Sequence, residues 1–297
     1  QGANEEGVAT PVVSYIDTSR SNLKANTPDE ACYILKDLDG SGKIRAENHV
    51  QISNEIKSIL LGHKPLDFNV VVFSCSGGSG SVIGPLLVAE LLARDEAVVC
   101  VVVGSDESSI TANNTLKTLK SLEAIARRSE KPVVMNYNHN SRGTPRSAQD
   151  AAMQYVVACL SLLCYKNIAE MDTKDVSNFL RFDRTTSVPA QLALLEIVKH
   201  ADDIDPRSTP ISIASIMQSA DEPGINIVPE YHCAGYAKLP MSGVSSLHYV
   251  ISVEPVNKIA GMLSDTLRGL DEVRQSRVAT TSIVGKDDVA HGTGLIL

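Results

Sequence analysis

Residues 68–73 (FNVVVF) are a short apolar run of buried-strand type, residues 86–93 (LLVAELLA) carry a helical pattern, and Ser74-Cys75-Ser76-Gly77-Gly78-Ser79-Gly80-Ser81 lies between them. A glycine-rich turn leading from a strand into a helix confines the chain to α/β architectures. Gly77, Gly78 and Gly80 let the main chain turn tightly and present bare N–H groups, and the helix start adds partial positive charge. A phosphate gains from both. The loop has neither the G-x-G-x-x-G spacing of a dinucleotide fold nor the G-K-[ST] ending of a Walker loop.

The rest of the N-terminal half repeats the alternation. Strand patterns at 12–16, 68–73, 97–103 and 132–137 interleave with helix patterns at 53–61, 85–93 and 114–128, which predicts a parallel sheet covered by helices, with ligand loops at the strand ends. Residues 146–165 (RSAQDAAMQYVVACLSLLCY) carry apolar residues in nearly every turn, so a buried helix is expected. After Arg181 prolines punctuate shorter elements, with strands expected at 211–217, 231–237 and 247–253 in a second, smaller α/β domain. Residues 256–279 form an amphipathic helix pattern with Ile259, Leu263, Leu267, Leu270 and Val273 on one stripe, followed by a polar tail that ends Leu295-Ile296-Leu297.

Composition narrows the class of function. A formal charge of −8 argues against a general nucleic-acid or anionic-membrane surface, and 4% aromatic residues offer few stacking platforms for single strands. No run of about 18 uninterrupted apolar residues occurs, and no signal-peptide pattern opens the chain, so a cytoplasmic protein is expected. Six cysteines without a C-x-x-C pair read as buried thiols, and no metal site is assigned. Asp37-Leu38-Asp39-Gly40-Ser41-Gly42-Lys43-Ile44 imitates the start of an EF-hand loop, but Asn48 stands where the bidentate glutamate belongs.

The glycine loop resembles the GGGTGSG signature of the tubulin and FtsZ superfamily, with Ser76, Gly77, Gly78, Ser79, Gly80 and Ser81 on its first six positions and departures at Ser76, Ser79 and Val82. Met171-Asp172-Thr173-Lys174-Asp175-Val176 is similar to the family's acidic loop, with Glu170 in place of its asparagine. Two acids three residues apart are also what an ordinary helix start looks like. Order and spacing strengthen the resemblance. Asp150 falls at the family's guanine-reading position on the long central helix, Asn136 and Asn138 near its base-contacting asparagine, and Asp106 with Asn113-x-Thr115-Leu116 on its ribose loop, where Ile110 replaces the glutamate. Asp17 and Thr18, Gly42 in the Gly40-Ser41-Gly42 turn, and Gly2, Ala3 and Asn4 match further nucleotide loops, and a first strand is expected upstream of Gln1.

Within the superfamily the chain looks most like the phage tubulins. That resemblance implies a GTPase domain at 1–145 with its parallel sheet, a central helix at 146–170, a second (activation) domain at 171–255 and a C-terminal helix and tail at 256–297. It implies GTP or GDP with Mg2+ at the glycine loop, with the hydroxyls of Ser79 and Ser81 on the phosphates. Subunits would stack head to tail, hydrolysis would be completed by Asp172 and Asp175 of the next subunit, and the tail with Asp287 and Asp288 would grip a neighbour. The expected partner is the protein itself, without direct nucleic acid or membrane, in a filament that positions phage DNA in the bacterial cytoplasm. Two alternatives stand beside it: a nicotinamide-dependent oxidoreductase, and a filament that binds GTP without turnover.

Overall fold

Residues 98–105 read VVCVVVGS, and a β-branched run with no polar face is stable only where both sides of the sheet are covered. In the computed structural model, which describes residues 10–141, 143–164 and 167–277, all of these residues except Val103 are buried. The strands are β1 (Tyr15–Asp17), β2 (Cys32–Ile34), β3 (Asn69–Ser74), β4 (Val98–Ser105), β5 (Val133–Asn140), β6 (Leu192–Val198), β7 (Ser212–Met217), β8 (Tyr231–Tyr236) and β9 (Ser246–Ser252). The α-helices are α1 (His49–Gly62), α2 (Gly80–Ala93), α3 (Ser109–Ser129), α4 (Arg146–Leu162), α5 (Thr173–Leu180) and α6 (Glu254–Arg277).

Seven strands form one sheet in the order β3-β4-β5-β6-β9-β7-β8, and β1 and β2 make a separate parallel pair. From β3 to β6 every pairing is parallel. β9 runs antiparallel to both β6 and β7. Side-chain alternation along β4 splits the core in two: Val98, Cys100 and Val102 face the cluster built with α1, α2, α3 and Leu263 of α6, while Val99 and Val101 face the one built with α4 and α5.

Three differences from the sequence reading have physical causes. Residues 192–198 (LALLEIV) form a strand although Leu, Ala and Glu favour helix, because pairing with Val133 and Val134 of β5 overrides that preference. The strands after Arg181 therefore continue the same sheet. The central helix is buried only in its second half, at Val156, Cys159, Leu160 and Leu162. Its first half relies on small alanines, and Ala148, Ala151 and Ala152 are exposed. The amphipathic C-terminal helix lays Val256, Ile259, Ala260, Leu263 and Leu267 on the cluster built with α1, α2 and α3, and the tail with Asp287 and Asp288 lies outside the described residues.

Where β7, β8 and β9 meet, Ser215 Oγ lies 2.9 Å from His248 Nδ1 and 3.3 Å from His232 Nε2. Burial, with His232 and His200 nearby, lowers the His248 pKa from its ordinary 6.5 to about 4. Between those values the unfolded chain binds the proton and the folded one does not, so this contribution is complete above pH 6.5 and is lost as the pH falls towards 4. His248→Asn keeps an acceptor for Ser215 but does not titrate. Urea unfolding at pH 7 and pH 4.5 is expected to show the wild type losing about 2 kcal/mol more than the variant; equal losses would refute the assignment.

Candidate functional site

Three loops converge beyond the C-terminal ends of the parallel strands. Thr18, directly after β1, is fully buried, and its Oγ1 lies 2.6 Å from Ser79 Oγ in the glycine loop. Ser79 Oγ in turn donates to Ser41 Oγ at 3.2 Å. Asp17 is fixed beside them, its carboxylate accepting from the Thr18 N–H at 2.7 Å and from Asn22 at 3.1 Å. Asn48 closes the 40–45 loop by donating to Gly40 O at 2.7 Å, and among the described residues no set of three or more His, Cys, Asp or Glu gathers as for a metal.

The glycines act differently from the expectation. None of Gly77, Gly78 and Gly80 adopts a positive φ; the left-handed positions are Gly40 (φ 76°), Gly42 (φ 53°) and Lys43 (φ 66°) in the neighbouring loop. What demands glycine at 78 is contact, because a Cβ there would overlap Ser41 Oγ and stand 3.1 Å from the Ile44 amide. Helix α2 starts at Gly80, several residues before the sequence pattern, so the end of the loop is already helical. Ser81 departs from its expected phosphate-facing role: it is buried, and its hydroxyl donates to Gly78 O at 2.9 Å. Ser76 Oγ lies 3.1 Å from Ser74 Oγ.

Helix α3 supplies the support that sequence reasoning missed. Asn114 Nδ2 donates to Lys43 O at 2.8 Å, to Ser76 O at 3.1 Å and to Gly77 O at 3.4 Å. Thr118 donates to Cys75 O at 3.1 Å, and Thr115 Oγ1 accepts from the Ser105 amide at 3.1 Å. In a trans peptide the N–H points opposite to the carbonyl, so drawing the carbonyls of 76 and 77 towards α3 turns the amides of Gly77 and Gly78 away from it. That arrangement suits an anion. The signal was present in the sequence: Thr111, Asn114, Thr115 and Thr118 follow the i, i+3, i+4, i+7 spacing of one helix face, and all are buried.

Asp172 and Asp175 sit at the other end of the molecule. The 17 residues of α4 run back along the sheet for about 25 Å, and β6 then starts in register with β5, Leu192 opposite Val133. The acids lie on the stretch between, with Asp175 beside Tyr231, the first residue of β8. They form a capping box on α5: Asp172 accepts from the amides of Lys174 (2.7 Å) and Asp175 (3.0 Å), and Asp175 accepts from the amide of Asp172 at 3.0 Å. Tyr231 OH adds a 3.4 Å contact to Asp175 Oδ1. The preceding loop is stitched to β8 by two 2.9 Å bonds between Ala169 and Tyr236. Asp172 is exposed, Asp175 half-buried.

Comparison with known proteins gives this geometry a family. Residues 171–254 match the family model described as phage tubulin-like protein, C-terminal domain. The phage tubulin-like protein of Pseudomonas phage phiKZ is 30% identical over 296 residues, covering 96% of this chain and 90% of that protein. The chain belongs to the phage tubulin-like proteins. The relative from Pseudomonas phage PhiPA3 is 28% identical over 97% of this chain and 92% of its own length. Among solved structures, a protofilament of TubZ from bacteriophage PhiKZ superimposes with a TM-score of 0.88 at 30% identity, covering 96% of this chain and 91% of that one. The phage tubulin PhuZ with GDP gives 0.88 at 25% identity, covering 96% and 92%. The fold is tubulin-like, and the nicotinamide alternative has no support in these likenesses.

Asp106, after β4, lies 3.2 Å from His139 Nε2, and His139 Nδ1 is 2.9 Å from Tyr137 OH. Asn136 is engaged within the sheet, donating to Leu195 O of β6 at 2.9 Å, while Asn138 donates to Asn136 Oδ1 at 2.9 Å. Asp150 is exposed in the first half of α4. Gly2, Ala3 and Asn4 lie outside the described residues. All six cysteines are free, four of them buried. No helix among the described residues is long and apolar enough to cross a membrane.

Proposed function

We propose that this phage tubulin-like protein binds GTP at the glycine-loop end and stacks head to tail, so that Asp172 and Asp175 of one subunit complete the hydrolytic site of the next. The observation that carries this reading is the placement of loop and acids at opposite ends of one sheet. Neither end holds both halves of the chemistry, and a head-to-tail contact that does not close generates a filament. Relatives described as a protofilament and as a GDP complex support both parts.

In this reading the amides of Gly77 and Gly78, with the Ser79 hydroxyl, hold the phosphates, and the buried Thr18 fixes Ser79 from beneath. Magnesium, when bound, would neutralise phosphate charge, and Asp17 with the Ser79 hydroxyl would offer it the oxygen ligands it prefers. Asp150 accepts from the guanine N1 and N2 donors, with Asn136 or Asn138 beside it. Adenine leaves that carboxylate unmatched, which discriminates strongly between the bases. The capping box holds the neighbour's acids so that they orient and polarise the water attacking the terminal phosphate, a catalysis of positioning and electrostatics.

The functional divisions proposed are 1–145, 146–170, 171–255 and 256–297, with the family match at 171–254 supporting the third. The phage relatives support a filament-forming phage protein, and the role proposed for it is to position phage DNA in the cytoplasm of an infected bacterium. One observation favours a second reading, a GTP-binding filament without turnover: both carboxylates are already engaged in the capping box of α5. Sedimentation with GTP and with a slowly hydrolysed analogue separates the two. Polymer that persists with the analogue and decays with GTP supports hydrolysis, and equal persistence supports the static filament.

A further inference from the structure

Helix α2 carries Pro85 in its second turn. Proline has no N–H, so the carbonyl four residues earlier, that of Ser81, loses its usual helical partner. Ser81 is fully buried, and a buried carbonyl without a donor is costly. The structure fills the vacancy from a different loop: Arg45 Nη2 donates to Ser81 O at 3.1 Å and to Ser121 Oγ of α3 at 3.3 Å. Arg45 is half-buried, and its Nε is buried without a hydrogen-bond partner. The neighbouring Gly84 shows how closely this helix face is packed, since a Cβ there would overlap the Phe73 ring.

We propose that Arg45 is a positioning residue for the phosphate-binding turn, supplying to Ser81 the hydrogen bond that Pro85 removes and thereby fastening the 40–45 loop to the first turn of α2. The inference rests on the reading that the glycine loop holds phosphate. Its physical content is a long-range pairing between Arg45 and Pro85. An ordinary residue at 85 would satisfy Ser81 within the helix and leave Arg45 with Ser121 of α3 alone. With proline at 85, the two loops that meet at Gly78 and Ser41 are joined a second time, by a charge-assisted bond beneath the site. Ser81 carries the connection upward, since its own hydroxyl holds Gly78 O.

A double-mutant cycle tests this, read by titration of a fluorescent GTP analogue below the assembly threshold and by thermal melting without nucleotide. Arg45→Met is expected to weaken binding about tenfold, as loss of a charge-assisted bond does. Pro85→Ala alone weakens it less than about threefold, and Arg45→Met with Pro85→Ala recovers to within about threefold of wild type, the melting temperature following the same pattern. Should Arg45→Met be too unstable to titrate, Arg45→Gln takes its place in the same cycle with the same outcomes. A double variant as weak as Arg45→Met alone, or Arg45→Met binding like wild type, overturns the proposal. If the wild-type chain binds no GTP analogue, the proposed function fails by itself, and the melting cycle still decides the Arg45–Pro85 pairing.

Discussion

Asp175→Asn is expected to bind GTP and sediment as filaments like the wild type while hydrolysing GTP at least tenfold more slowly, a barrier increase of about 1.4 kcal/mol or more. Asparagine retains a side-chain oxygen that can accept from the Asp172 amide, so the cap at the start of α5 survives the change. What disappears is the negative charge offered to the neighbour's site. Asp175→Ala removes cap and charge together, and should add a stability loss of about 1 kcal/mol. Comparing the two in single-turnover and melting experiments separates the roles. Wild-type turnover in Asp175→Asn would remove this residue from the chemistry.

Gly78→Ala should destabilise the fold and weaken nucleotide binding for a steric reason. The added Cβ would stand 2.8 Å from Ser41 Cβ and 3.1 Å from the Ile44 amide, besides overlapping the Ser41 hydroxyl. The hydroxyl can rotate, but the Ile44 backbone cannot move without opening the 40–45 loop. Overpacking of this kind costs about 1–3 kcal/mol, and the loops that define the phosphate position would separate. Gly77→Ala is the control for stability, since a Cβ there meets only Ser74 Oγ at 3.8 Å. Calorimetry should show a clear drop in melting temperature for Gly78→Ala and almost none for Gly77→Ala. Equal melting temperatures would mean that the Ser41 contact is unimportant.

What could be read from the sequence was set by how local its cause is. Residues 98–103 announce a two-sided buried strand, and the glycine run announces a strand-to-helix turn, because both signals lie within a few residues of the structure they specify. The reason Gly78 must be glycine could not be read, since it comes from Ser41 and Ile44 on another loop. Ser81 looked like a phosphate-facing hydroxyl and is turned inward to Gly78 O. Asn114 and Thr118 lie within a helix pattern, and the carbonyls they clasp belong to other loops. The pairing of Asp172 and Asp175 is a case where two causes share one pattern. Acids three residues apart cap a helix, as they do here, and the same spacing is what the family resemblance reads as catalytic. The strand at 192–198 was hidden because its preference for helix is overturned only by β5.

The composite-site claim is tested most directly by GTP turnover per subunit, measured on the wild-type protein across a range of concentrations. Turnover should stay near zero in dilute solution and rise steeply once subunits can stack, in step with sedimentation. A constant rate per subunit, present before any polymer forms, would place the whole reaction within one copy of the chain and contradict the account.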